Sequence, residues 1–231
     1  MSLIARSMRP TGAVQLQVLR GDPFRGRAAH HPLNVLLHAL PRPGLSLEVN
    51  LWRLRNIPNV WRGLWRIWCA SLLSVPTHYG AVFHRVNRGG VWTELGLASL
   101  RVITDAGVNY LAACFDNTNE PELFKFHGFG TGTGAEATSD TALGTELTTQ
   151  YATDNTRPTG SQAHATNTYT TVATLSPDTG GTIAVTEHGV FNQASNAGGT
   201  LLDRSKFSAV NLVAASDSLQ TTYVLTLTSG G

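Results

Sequence analysis

The sequence predicts a mainly β protein: an antiparallel β-sandwich or jelly-roll-like domain with one short helix over residues 78–231, behind a basic, partly helical or disordered N-terminal arm over residues 1–77. Three observations predict it. Charged residues make up 14% of the 231-residue chain, against about 25% in a typical globular domain, and Thr, Ser, Ala and Gly fill the gap, as suits strands and tight turns. Short apolar–polar alternations recur through the C-terminal two-thirds, separated by turn residues. The charge is also divided: residues 1–101 hold 13 Lys or Arg and 3 Asp or Glu, and residues 102–231 hold 4 and 12, so +10 and −8. Such a division marks a basic arm on a folded domain, or two regions of different origin.

Residues 1–50 show no periodicity; Arg, Pro, His and Gly interrupt every apolar run, and Asp22 and Glu48 are the acids there. This reads as a disordered basic arm or an upstream segment outside the natural product, or else as an arm that touches nucleic acid or a partner shell. Residues 51–75 differ. Trp61, Trp65, Trp68 and Leu72 recur at helical spacing with Leu64 alongside, while Arg62 and Arg66 fall off the stripe. The spacing predicts an amphipathic helix over about 58–74, with Pro58 in its first turn. Trp61, Trp65, Trp68, Arg62 and Arg66 are the candidate contacts of this segment, with a partner, the protein's own domain or a membrane surface. No run of about 18 apolar residues could span a bilayer.

The folded domain is expected to start near residue 78. Residues 81–86 and 91–95 read as a hairpin turned by Gly89 and Gly90, with a further short strand at 100–103. Thr104 or Asp105 then caps a helix whose expected apolar face is Val108, Leu111, Ala112 and Phe115. A strand at 123–129 runs into Gly130–Gly134, and Asp140–Leu143 reads as one helical turn. Further strands are expected at 146–153, 169–175, 182–191, 201–212 and 219–228. In the last, Leu219, Thr221, Tyr223, Leu225 and Leu227 alternate with Gln220, Thr222, Val224, Thr226 and Thr228, the period of a half-buried strand. About 150 residues suffice to bury near 70% of the unfolded surface.

Catalytic, cofactor and metal motifs are not evident. The run Gly128, Gly130, Gly132, Gly134 lacks the Lys of a phosphate loop and the GxGxxG spacing of a dinucleotide fold, so a tight loop is the better account. The eight histidines do not fall at metal spacing. Glu187 and Arg204 are expected to approach across a hairpin of residues 182–207. Ser205, His188 and Asp203 would form a triad on paper, without a nucleophile elbow to support it. Cys114 reads as a small core residue rather than a nucleophile.

Three stretches stand in order: LRVITDAGVNYLAACF (residues 100–115), then residues 126–151 with "GTG…DTAL…E", then residues 183–212 with "TEHGVFN…GGTLLDRSKF" and a closing SLQTTYVLTLTSG (218–230). Over about residues 99–231 the chain resembles small virion structural proteins of tailed bacteriophages, of the tail-fibre, tail-collar or head-decoration kind. The resemblance implies a non-enzymatic assembly module located in the virion, without cofactors. Its implied partners are copies of itself and neighbouring virion proteins, with no specific nucleic acid. Two other functions are kept. A carbohydrate- or receptor-binding module would take a host-surface glycan on an aromatic platform, for which Phe129, Tyr151, Tyr169 and Phe191 are the candidates. A glycan or cell-wall hydrolase would need two acids that meet in space.

Overall fold

The computed structural model describes residues 36–72, 78–152, 154–178 and 181–227. In chain order the elements are helix α1 (Leu47–Leu72), strands β1 (His78–Arg88) and β2 (Val91–Val102), helix α2 (Asp105–Ala113), and strands β3 (Phe126–Gly130), β4 (Ser161–Ala165), β5 (Thr168–Leu175), β6 (Ile183–Phe191), β7 (Leu201–Leu212) and β8 (Ser218–Leu227). The strands form two antiparallel sheets, ordered β2-β1-β8-β5-β4 and β3-β6-β7. Val82, Tyr223 and Leu225 of the first sheet share one buried cluster with Phe129, Val190 and Phe207 of the second. The arrangement is a mainly β, two-sheet sandwich.

Local chemistry accounts for most boundaries. Gly89 and Gly90 take φ of +56° and +88° and close the β1–β2 hairpin, the twist that two-residue hairpin turns need. Strand β2 continues to Val102, so the separate strand expected at 100–103 is its end. Thr104 caps α2 by accepting from the Gly107 N–H at 3.0 Å. The buried residues of α2 are Gly107 and Tyr110; Val108 and Phe115, expected inside, are exposed by 47% and 95%. Periodicity misplaces this face because the helix approaches β7 through Gly107, where a side chain would meet Leu202. The expected strand at 146–153 is a loop with isolated bridges at Glu146 and Tyr151, and Asp140–Leu143 is not helical.

The N-terminal segment differs most from expectation. Helix α1 begins at Leu47, eleven residues before Pro58, which lies inside it. Residues 1–35 lie outside the described residues. From residue 36 onward, contacts run across the boundary expected at 78. Ala39, Val60 and Leu64 pack against Tyr79, Ala81, Leu97, Leu100 and Val224 on the outer face of the first sheet. Val49 and Trp52 join the central cluster. Strand β8 is therefore buried on both faces at its centre, and Val224 and Thr226, on its expected polar side, are 6% and 0% exposed.

Polar side chains of α1 close the open side of the sandwich. Strand β2 carries two bulges opposite Val82/Phe83 and His84/Arg85, which leave Ala98 and Leu95 without a partner across the ladder. The Arg53 guanidinium donates to the Leu95 carbonyl at 2.8 Å. The Asn56 amide donates to the Ala98 carbonyl at 2.6 Å and accepts from the Ser208 N–H of β7 at 2.8 Å. Trp52 donates to the Ser208 carbonyl at 2.8 Å. One helix thus covers an edge of each sheet, which blocks uncontrolled edge pairing.

Close approach requires Gly63: a Cβ there would collide with the Leu100 carbonyl, a backbone atom that cannot yield. Gly63→Ala improves intrinsic helix propensity by about 1 kcal/mol yet should destabilise the fold, by about 1–3 kcal/mol, as overpacking does. Urea denaturation of the two proteins measures the sign directly.

Candidate functional site

Two regions hold the residues singled out by sequence: the glycine loop with the β6–β7 hairpin, and the outward face of α1. In the first, Glu187 on β6 is fully buried. Its carboxylate accepts from the N–H groups of Gly132 (3.0 Å), Gly144 (3.0 Å) and Thr145 (2.7 Å). It also accepts from Arg204 Nε at 3.0 Å and Nη2 at 2.7 Å. Gly130 and Gly132 lie so close to this carboxylate that a Cβ on either would strike it. The expected Glu187–Arg204 approach thus occurs, though the facing residues in the ladder are Gly189 and Arg204. Burial pushes the Glu187 pKa up, but the two loop N–H groups and Arg204 outweigh it and hold it below the usual value.

The same logic extends outward. Arg204 also meets Asp140 at 2.9 Å. Arg157 pairs with Glu146 through Nε (2.6 Å) and Nη2 (2.8 Å) and lies 3.4 Å over the Phe191 ring. Arg101 pairs with Glu136 at 2.8 Å. The acids of the "GTG…DTAL…E" segment therefore hold long loops onto the second sheet. A cleft of about 450 Å³ opens beside them, lined by Arg66, Arg101, Thr104, Glu136, Thr138 and Arg204. Two of its three arginines are already paired with carboxylates.

The paper triad does not assemble. Ser205 donates to Asp203 at 2.8 Å, but His188 Nε2 faces His127 Nδ1 at 2.9 Å, and all of these side chains are buried. His127 Nε2 lies 3.1 Å from the Thr171 hydroxyl, and His84 Nδ1 lies 3.0 Å from that of Thr221. Burial drives His84 and His127 down to about 3 and His188 well below its usual value. Burial raises Asp203 to about 7 against the opposing Ser205 hydrogen bond and Arg101 charge. Among the described residues no three His, Cys, Asp or Glu side chains converge to hold a metal.

The proposed aromatic platform is interior. Phe129, Tyr151 and Phe191 are 0%, 0% and 1% exposed. The Tyr151 hydroxyl is fixed between the Phe129 backbone and Glu146. Tyr169 is partly buried and donates to the Phe124 carbonyl at 2.7 Å. Phe129 and Tyr169 pack on the central cluster from their strands, Tyr151 reaches it from a loop, and Phe191 packs separately against Leu143 and Leu201, directions that aromaticity alone does not reveal.

The tryptophans behave in the opposite way. Trp61, Trp65 and Trp68 are 54%, 54% and 43% exposed, and Arg62 and Arg66 are exposed beside them. Leu47, Leu51 and Leu54 are exposed on the same helix. The positions 47, 51, 54, 61, 65 and 68, with the exposed Pro58 between, follow one another by four and three residues, the spacing of a seam along a helix. The Trp65 and Trp68 rings touch, with centroids 5.1 Å apart. Sequence reasoning singled out the tryptophans and left their orientation open, and it missed the leucines. No described helix is long and apolar enough to cross a membrane.

Removing Arg204 leaves Glu187 charged in the interior, so Arg204→Met should cost about 3–5 kcal/mol, read as a fall in the urea midpoint. Stability should also fall on acidification. Below pH 6.5 the unfolded chain binds protons at His84, His127 and His188 that the native fold refuses, so unfolding gains protons and stability drops. Asp203 opposes with one proton, since its native form is protonated below about 7 and its unfolded form only near its ordinary value. Three against one leaves a net loss as pH falls below 6.5, seen as a declining thermal midpoint; a midpoint unchanged from pH 7 to 4.5 would contradict the buried neutral histidines.

Comparison with protein-family models gives no match, and comparison with curated proteins gives no significant match.

Proposed function

We propose that this protein is a non-enzymatic structural component of a bacteriophage virion, an assembly module of the tail or capsid surface. The observation that carries the reading is the outward face of α1: three tryptophans and three leucines exposed on a helix that is itself locked onto both sheets. An apolar stripe of this kind on a rigid support is what a protein–protein contact uses. The resemblance over residues 99–231 supplies the virion context. Its segments contribute buried carboxylate–arginine staples and tight glycine loops, as a scaffold requires. A jelly-roll-like descent of the sandwich belongs to the same proposal; it is supported by β1 and β8, the first and last strands, lying side by side within the five-stranded sheet.

The glycan-binding reading loses Phe129, Tyr151 and Phe191 as a platform, and the hydrolase reading would have to use acids other than Glu146 and Glu187, both engaged by arginine. Peptide mass spectrometry of particles purified from cells that carry the gene tests the proposal. Peptides of this chain at stoichiometric abundance are expected, and their absence from intact particles would overturn it.

A further inference from the structure

We propose that the protein associates with a second copy of itself through α1 of one molecule and the knuckle that follows α2 of the other. This rests on the assembly reading above and names its partner.

The two surfaces are complementary in charge and alike in apolar character. Outward from α1 stand Trp61, Trp65 and Trp68, and Arg55, Arg62 and Arg66 are exposed on the same helix along one flank of that stripe. The one acid of the helix, Glu48, lies at its far end, where it pairs with Arg88 at 2.7 Å. The knuckle inverts this pattern. Phe115 is 95% exposed and Val108 47%. Asp105, Asp116, Glu120 and Glu122 are exposed around them.

The knuckle is fixed before any partner arrives. Thr118 N–H donates to the Ala113 carbonyl at 3.2 Å, and Asn117, at φ +62°, donates to Cys114 at 3.3 Å. The Tyr110 hydroxyl holds the Glu120 carbonyl at 3.3 Å. An almost fully exposed phenyl ring on a hydrogen-bonded turn needs little further ordering to dock. The pairing also fits the division of charge along the chain, since it brings the basic N-terminal part of one copy against the acidic C-terminal part of the next. Residues 1–35 are a poor occupant of the α1 face: they carry five arginines and one aspartate, so they would repel Arg55, Arg62 and Arg66. Two α1 helices facing each other would likewise juxtapose like charges.

The experiment is a charge swap read by sedimentation of the full chain. Wild type should associate, more weakly as salt rises. Variant one, Arg62→Glu with Arg66→Glu, and variant two, Glu120→Arg with Glu122→Arg, should each sediment as monomers, because each carries like charges on both surfaces. Mixing the two should restore association, at least tenfold tighter than either alone. All substitutions lie at exposed positions, and circular dichroism checks that each variant folds. A monomeric wild type, or variants that associate as wild type does, would overturn the proposal. So would a mixture that stays monomeric. Binding of wild type to anionic phosphatidylserine vesicles without self-association would instead make lipid the occupant of α1 and also overturn it. Particle mass spectrometry is independent of every arm, so failure of this contact and failure of the virion reading are separable.

Discussion

Asn56 sits where the two sheets would otherwise part. A side-chain amide offers donors and an acceptor on one planar group, and here the donor goes to β2 and the acceptor to β7. With Arg53 and Trp52 on neighbouring edge groups, this fixes the rotation of α1 about its own axis. Turning the helix to bury the tryptophans would strand the Leu95 and Ala98 carbonyls and drive a side chain into β2 where Gly63 now lies. Each stranded buried group costs about 1–3 kcal/mol, and the steric term adds to that. Hydrogen bonding and backbone approach therefore decide which face is inside, and hydrophobicity yields.

That ordering explains what could be read in advance. Strand β7 was legible to its last residue and β5, β6 and β8 nearly so, because alternating residues between turn signals leave one assignment. The Glu187–Arg204 approach was legible as a consequence of the hairpin. Helix α1 was legible as a helix but not in extent, and its orientation stayed open. Its inner face carries Arg53, Asn56 and Gly63, which an apolar-periodicity argument assigns to solvent, while its outer face carries the residues that such an argument assigns to the core. The glycine run was legible as a tight loop, but the shape of residues 131–148 was not: one buried carboxylate collects N–H groups from Gly132 and, twelve residues on, from Gly144 and Thr145, and no local pattern encodes that. The burial of Phe129 and Phe191 was hidden for a related reason, since a ring's side of the sheet depends on register, and that of Tyr151 depends on loop closure.

The polar interior has a consequence for how the molecule is built. His84, His127, His188, Thr171 and Thr221 occupy positions that a simple sandwich fills with aliphatic residues. Hydrogen bonds such as His127–His188 are directional and register-specific, so a one-residue slip of β6 against β3 would break them as well as expose the core. The second sheet has only three strands and long loops, and it gains from this added specification. Its loops are then tied by Glu187, Glu146 and their arginines, which consumes most of the acids near the hairpin.

The acids left over are the ones that matter for contact. Asp116, Glu120 and Glu122 are exposed in the turn after α2, and Arg55, Arg62 and Arg66 are exposed on α1; Arg66 also lines the cleft that it shares with Arg101, Thr104 and Arg204. Inside the fold, opposite charges from the two halves of the chain already meet once, in the Arg101–Glu136 pair, which is nearly buried at 2.8 Å. Outside, an apolar stripe as long as that on α1 invites indiscriminate sticking. Arginines flanking the tryptophan stripe restrict it: a neutral or basic surface leaves them desolvated without partners, which is costly, whereas an acidic rim around an apolar knob satisfies both components together. Selectivity on this face therefore comes from the charges, and the tryptophans provide the contact area once the charges match.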